Sequence, residues 1–191
     1  MSEKNILIAV NKEHLDNILD GVKKIEWRKK SLPLGLAYGY ETKNKGGCGM
    51  VTGEFEVVDT IKFNLQGDTY RPEWLAKGCL PYEFLVEYAN GAEYLYANII
   101  GKAKRYDKPK ELSEFYKPFK YDGDGVICGT EKEISDIYEW DCETLFAKKY
   151  PNFDFKYSEC KDCPKAKDFY RLKRPPQSWC YVEPLKENAD D

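Results

Sequence analysis

The residues best equipped for chemistry lie close together near the start of the chain. Residues 21–32 read G-V-K-K-I-E-W-R-K-K-S-L and set one carboxylate, Glu26, among Lys23, Lys24, Arg28, Lys29 and Lys30. Side chains alternate across a β-strand, so a strand here would put Lys24, Glu26 and Arg28 on one face and Ile25 and Trp27 on the other. Two accounts fit that pattern. One is a solvated charge ladder, which is common and contributes little to stability. The other is a polar pocket floor that grips an anionic or nucleobase-like ligand. A carboxylate flanked by cations stays ionised, which suits Glu26 to accepting hydrogen bonds from a base edge better than to donating a proton. Arg28 offers a planar donor fork for phosphate or a base; Lys23 could contact phosphate or, if desolvated, act as nucleophile or base. Lys23 has the wrong parity to share a face with Glu26 unless the strand bulges or begins after it.

Other candidates are weaker. Cys160-x-x-Cys163 is the tightest cysteine pairing and supplies two of the four ligands of a structural zinc. The other two would come from Cys48, Cys79, Cys128, Cys142, Cys180 or His14 across the fold, and the plain alternative is a pair of free thiols. His14, the only histidine, has no Ser or Cys tied to it by spacing, so a solvated or partly packed role is the simpler expectation. Trp27, Trp179 and Tyr181 could stack bases as readers of single-stranded RNA do, although Ile25 beside Trp27 favours ordinary core there. The K-N-K-G-G-C-G run at 43–49 is not a phosphate-binding P-loop, since its glycines lead into a strand. The D-G-D-G run at 122–125 lacks the ligand spacing of a calcium loop and reads as a turn.

The totals narrow the class of protein. A chain of 191 residues fits one domain with a substantial core. Its aromatic share of 15%, led by fifteen Tyr, favours strands over helices. The net charge of −3 excludes a protein that coats nucleic acid by bulk charge, so any such contact must be focal. Three basic segments, around 23–30, 102–110 and 165–174, supply focal charge. No apolar run approaches membrane-spanning length, and the single apolar burst within 1–10 is too short for a signal core. A cytoplasmic location is expected, and seven scattered cysteines agree with reduced thiols.

Several elements would position these residues. The run at 5–10 reads as a buried strand. Asn11 can cap a helix over 12–20, with Leu15, Ile18 and Leu19 on one stripe and Gly21 to end it. Strands follow over 36–42 and, with clear alternation, over 50–63. Residues 64–92 mix turn and helix signals, with Pro81 at a helix start, a stripe of Phe84, Leu85, Tyr88 and Ala89, and Asn90-Gly91 as the stop. A strand over 94–106 runs into the second basic segment, which Pro109 interrupts before a short helical turn at 112–116. Helical pieces are expected from 130 to 150, and Pro175-Pro176 leads stiffly into a final strand.

Two separated segments together resemble a known family. Gly21-x-Lys23-x-x-Glu26-x-Arg28, preceded by a capped helix and a strand, resembles the signature of ASCH domains, relatives of the PUA fold. The runs 106–115 (Y-D-K-P-K-E-L-S-E-F) and 174–179 (R-P-P-Q-S-W) resemble a branch of that family met in phages and low-GC bacteria. The resemblance implies an α+β fold: a PUA-like, partly open β-barrel with helices capping its ends. It implies a single domain over 1–185 with insertions near 64–92 and 122–163, and a flexible tail at 186–191. It further implies an RNA- or nucleotide-binding module, with the ligand in a cleft beside the Lys23-x-x-Glu26-x-Arg28 strand and Lys24, Arg28, Lys29, Gln177 and Ser178 as contacts. The alternative it raises is a hydrolase acting on a modified nucleoside or single-stranded RNA, with Lys23 and Glu26 as catalytic residues. In amidohydrolase-like members a threonine stands three residues after the lysine, where this chain has Glu26, and a distant glutamate takes part, for which Glu73 and Glu83 are the candidates. A phage-encoded scaffold for protein interaction is the third possibility. None of these readings requires a cofactor, although a structural zinc would be compatible with all of them.

Overall fold

The computed structural model describes residues 5–65, 72–117 and 171–185. The expected insertion over 122–163, with its turn, helical pieces and Cys160 and Cys163, lies outside the described residues, as do most of the third basic segment and the tail at 186–191.

The apolar run N-I-L-I-A-V forms strand β1 (Asn5–Val10), buried on both faces: Ile6, Ile8 and Val10 point into one apolar cluster and Leu7 into another. Helix α1 (Lys12–Leu19) follows, with Leu15, Ile18 and Leu19 as its buried stripe. Asn11 stands at the N-cap position in extended geometry but makes no side-chain capping bond; its Oδ1 accepts from the Thr42 hydroxyl instead, at 2.9 Å. Gly21 reverses the chain at φ +74°, a conformation that costs glycine little. Strand β2 (Ile25–Arg28) is only four residues long. The expectation of one strand through the whole basic segment is therefore corrected: Lys23 and Lys24 precede the strand and Lys29 and Lys30 follow it.

Strands β3 (Gly35–Glu41) and β4 (Val51–Asn64) pair antiparallel across the glycine-rich turn, and β4 pairs along its length with β5 (Tyr94–Lys110). Pro109 does not interrupt β5, which runs on to a pairing of Val51 with Lys110; a proline removes only its own ladder donor. Between β4 and β5 stand helices α2 (Pro72–Gly78) and α3 (Tyr82–Ala89), the second ended by Asn90 in the left-handed conformation. Strand β6 (Trp179–Val182) closes the set. The sheet order is β2-β5-β4-β3-β1-β6, antiparallel except for β1 with β3.

This is the expected α+β, PUA-like architecture, and its sheet is open as expected. The backbone ladder does not close into a barrel, because β2 and β6 are edges that do not pair with one another. Each face of the curled sheet is covered. Helix α1 seats on β3 and β4 over the cross-strand pair Gly39 and Gly53. A Cβ at either would lie 2.5–2.6 Å from the methyls of Leu15 or Leu19, so the two glycines allow the close approach. Helices α2 and α3 pack Leu75, Leu85 and Ala89 against Ile25, Trp27 and Phe63. The C-terminal segment covers Tyr38 and Tyr40 with Leu172 and Val182. Among the described residues no helix is long and apolar enough to cross a membrane.

Candidate functional site

Because β2 begins at Ile25, Lys23 escapes strand parity and can turn toward Glu26. Its backbone is anchored on both sides: Lys23 N donates to Asn17 O of α1 at 2.8 Å, and Lys24 N donates to Lys77 O of α2 at 2.7 Å. The ammonium of Lys23 then lies 3.0 Å from Glu26 Oε2, and both side chains are buried, at 1% and 7% exposure. From the other side Arg28 Nε donates to Glu26 Oε1 at 2.9 Å. Burial alone would raise the Glu26 carboxyl, but the charges of Lys23 and Arg28 outweigh it and hold the group below its ordinary range. Glu26 is thus ionised.

The backbone behind the pair is fixed by buried Asn98. Its Nδ2 donates to Glu26 O at 2.8 Å, and its Oδ1 accepts from Leu32 N at 2.9 Å and from the Thr60 hydroxyl at 3.0 Å. Arg28 reaches further: Nη2 donates to Ala9 O of β1 at 2.8 Å, and Nη1 lies 3.5 Å from Ser178 Oγ. Ala9 N in turn donates to Ser178 O at 2.9 Å. One guanidinium therefore spans the gap between the sheet's flanks.

Over this floor opens a cleft of about 300 Å³. Asn11 and His14 form one wall and Leu80, Phe84 and Tyr88 the other, with Gln177 at the rim. Phe84 and Tyr88, one turn apart on α3, are 41% and 36% exposed and give the cleft an aromatic side. Among residues of the lining, buried His14 Nδ1 lacks a hydrogen-bond partner, while buried Glu26 Oε2 is held by the Lys23 ammonium at 3.0 Å. Burial, aided by the Lys23 charge, pushes the His14 imidazole below its usual value, so it is neutral at pH 7.

The expected site residues divide accordingly. Lys23, Glu26, Arg28 and Gln177 meet at the cleft, and Ser178 stands behind it on Arg28. Lys24 is exposed and does not line the cleft, since the strand that would have aligned it starts one residue later. Lys29 is exposed, with its ammonium 5.6 Å from the centre of the Tyr88 ring. Glu73 and Glu83 are exposed and outside the lining. Trp27 is core, edge-on to Phe63 at 5.3 Å. Trp179 and Tyr181 pack on each other at 5.2 Å away from the cleft lining. Among the described residues no group of three or more metal-ligating side chains is assembled, and Cys48, Cys79 and Cys180 are free thiols. Asn98 escapes sequence reasoning, which reads Phe84 and Tyr88 only as an apolar stripe and His14 only as a solvated or partly packed residue or a zinc ligand. The available signal was the i, i+4 spacing of Phe84 and Tyr88 on the flank of the buried Leu85 and Ala89 stripe; a lone histidine and a strand asparagine carry none.

No protein-family model matches the sequence, and no curated protein matches it. Among solved structures the chain is similar to the ASCH protein of Zymomonas mobilis, with a TM-score of 0.54 at 16% identity over 94% of this chain and 88% of that one. Two single-substitution variants of that protein give TM-scores of 0.51 and 0.51 at 15% and 14% identity, over 94% and 95% of this chain and 91% and 89% of theirs. At such identity the likeness is one of fold: the chain has the architecture of an ASCH domain.

Proposed function

We propose that the chain is an ASCH-type binding module that takes a nucleotide, or one unpaired base of a single-stranded RNA, into the cleft beside Lys23, Glu26 and Arg28. The observation that carries this reading is the Glu26 carboxylate, an acceptor held ionised in the cleft lining between the cations Lys23 and Arg28. A base edge offers amino and imino donors to such an acceptor. Phe84 and Tyr88 provide a face for stacking, and the volume of about 300 Å³ suits one nucleotide-sized ligand. Titration calorimetry with nucleoside monophosphates and short RNAs tests it. Wild type should bind, and both Glu26→Gln and Phe84→Ala should weaken binding. Phe84 is exposed, so its variant keeps the test valid if the buried substitution harms folding. Equal binding by wild type and both variants would sink the reading.

One observation favours hydrolysis as a second reading. His14, neutral at pH 7, lines the same cleft as the buried Lys23–Glu26 pair and could serve as a general base. Incubation with acylated nucleosides and labelled RNA should then show turnover that His14→Ala and Lys23→Ala abolish; turnover indifferent to both counts against it.

A further inference from the structure

The residue that opens helix α1 breaks a local rule. Asn11 stands at the N-cap position in extended geometry, where an asparagine side chain ordinarily turns back onto the free N–H groups of the first turn, yet it makes no such bond. It turns to Thr42 instead, whose hydroxyl donates to Asn11 Oδ1 at 2.9 Å. Sequences break local rules most often at functional positions, and both residues line the cleft over Glu26.

The pair is held from behind. Asn11 O accepts from Leu15 N at 3.0 Å, and Thr42 N donates to Val10 O at 2.9 Å, one residue beyond β3. The side-chain bond therefore joins two fixed backbones. It also fixes polarity: the single hydroxyl hydrogen of Thr42 is taken up by the amide oxygen, so what the pair offers a ligand is the Asn11 Nδ2 hydrogens as donors and the Thr42 oxygen as an acceptor. A donor beside an acceptor is the complement of a hydroxyl group, which gives one hydrogen bond and takes another.

The place of the pair says which hydroxyl. Asn11 comes two residues after Ala9, whose carbonyl meets Arg28 Nη2 at 2.8 Å. Two extended residues cover roughly 7 Å. A base that stacks on Phe84 and Tyr88 with its edge at the charged floor carries its ribose at about that remove, toward the wall that holds Asn11. The 2′-hydroxyl, on the carbon next to the glycosidic one, is the sugar hydroxyl nearest the base.

We infer that the Asn11–Thr42 pair reads the 2′-hydroxyl of the bound nucleotide and makes the cleft selective for ribonucleotides over deoxyribonucleotides. The inference rests on the nucleotide reading of the cleft and adds discrimination of the sugar. A deoxyribose leaves the Nδ2 donor and the Thr42 acceptor facing a carbon, and a site built to pair with a hydroxyl rejects the analogue that lacks it.

The test uses the ribo, 2′-deoxy and 3′-deoxy forms of the 5′-monophosphates of adenosine, cytidine, guanosine and uridine, so that base and phosphate are the same within every comparison. Titration calorimetry reads the ratio of dissociation constants. For a base whose ribonucleotide binds, the 2′-deoxy form should bind roughly tenfold more weakly or worse, as two hydrogen bonds of ordinary net strength would give, and the 3′-deoxy form should match the ribonucleotide. Thr42→Val keeps the shape of the side chain and the backbone bond to Val10, and Asn11→Ala loses no capping bond, since the native side chain makes none. In each variant the 2′-deoxy to ribo ratio should fall toward one. Equal binding of the two sugars by wild type, a ratio that neither substitution moves, or a greater loss with the 3′-deoxy form overturns the inference while the nucleotide reading stands. Failure of every probe to bind overturns both.

Discussion

Arg28 Nη2 and the carbonyl of Ala9 lie 2.8 Å apart although their strands, β2 and β1, are separated in the sheet order by β5, β4 and β3. The sheet curls until its flanks nearly meet, and a side chain makes the join that a backbone ladder would make in a closed barrel. The same guanidinium also orients the Glu26 carboxylate, so closing the fold and setting the cleft floor fall to one residue.

Arg28→Ala should therefore lower stability by about 1–3 kcal/mol, the usual cost of leaving buried hydrogen-bond partners unmet. Arg28→Lys should recover only part of it, because one ammonium cannot reproduce a planar fork bonded to Oε1 and to Ala9 O together. Urea denaturation of the three proteins at neutral pH gives the comparison; full recovery in the lysine variant would mean that charge alone closes the seam.

Glu26 should dominate the acid limb of stability. Its carboxyl is held below the ordinary 4.5 in the native state, so the unfolded chain binds the extra proton first as the solution is acidified. The contribution is complete above pH 4.5 and is lost as pH falls through the depressed native value. Glu26→Gln should flatten stability against pH in that range. At neutral pH it should cost about 3 kcal/mol or more, since Lys23 is left buried without its counter-charge. A pH series of denaturation midpoints that is parallel for the two proteins would contradict this.

His14 can be followed directly, being the sole histidine. Its NMR titration should have a midpoint below the ordinary 6.5, for burial first and the Lys23 charge second, against the opposing pull of Glu26. A native value below the unfolded one means that stability rises with pH across the interval between them. Lys23→Met should move the midpoint upward without reaching 6.5, because burial remains. A midpoint unchanged by that substitution would separate the imidazole from the charged floor.

Gly78, the last residue of α2, should resist the substitution that normally helps a helix. Alanine is ordinarily worth about 1 kcal/mol over glycine in a helix. Here a Cβ would overlap the indole nitrogen of Trp27, the core residue under α2. Gly78→Ala should instead destabilise by about 1–3 kcal/mol through overpacking, with a loss of the tryptophan's native fluorescence environment as the second readout.

The fold was legible wherever a period was long enough to count. The stripe of Leu15, Ile18 and Leu19, the alternation through β4 and the Asn90-Gly91 stop all appear at the expected places. The site was legible in composition but not in arrangement. Whether Lys23 or Lys24 joins Glu26 depends on one residue of strand boundary, and that boundary is set by hydrogen bonds to Asn17 and Lys77, from α1 and α2, which no local pattern announces. His14 and Asn98 become part of the site only through three-dimensional proximity. Phe84 and Tyr88 read as core because they share a helix flank with Leu85 and Ala89, but in the fold they are exposed and line the cleft.

A seam closed by a side chain has an evolutionary signature. In a fully laddered barrel, ligand preference can drift at inward positions while backbone bonds keep the wall intact. Here any change at position 28 that retunes the cleft also loosens the joint to positions 9 and 178. Diversification of such a domain would proceed through paired substitutions across the gap, and the register between 28, 9 and 178 is where historical changes in ligand choice would have left matched traces.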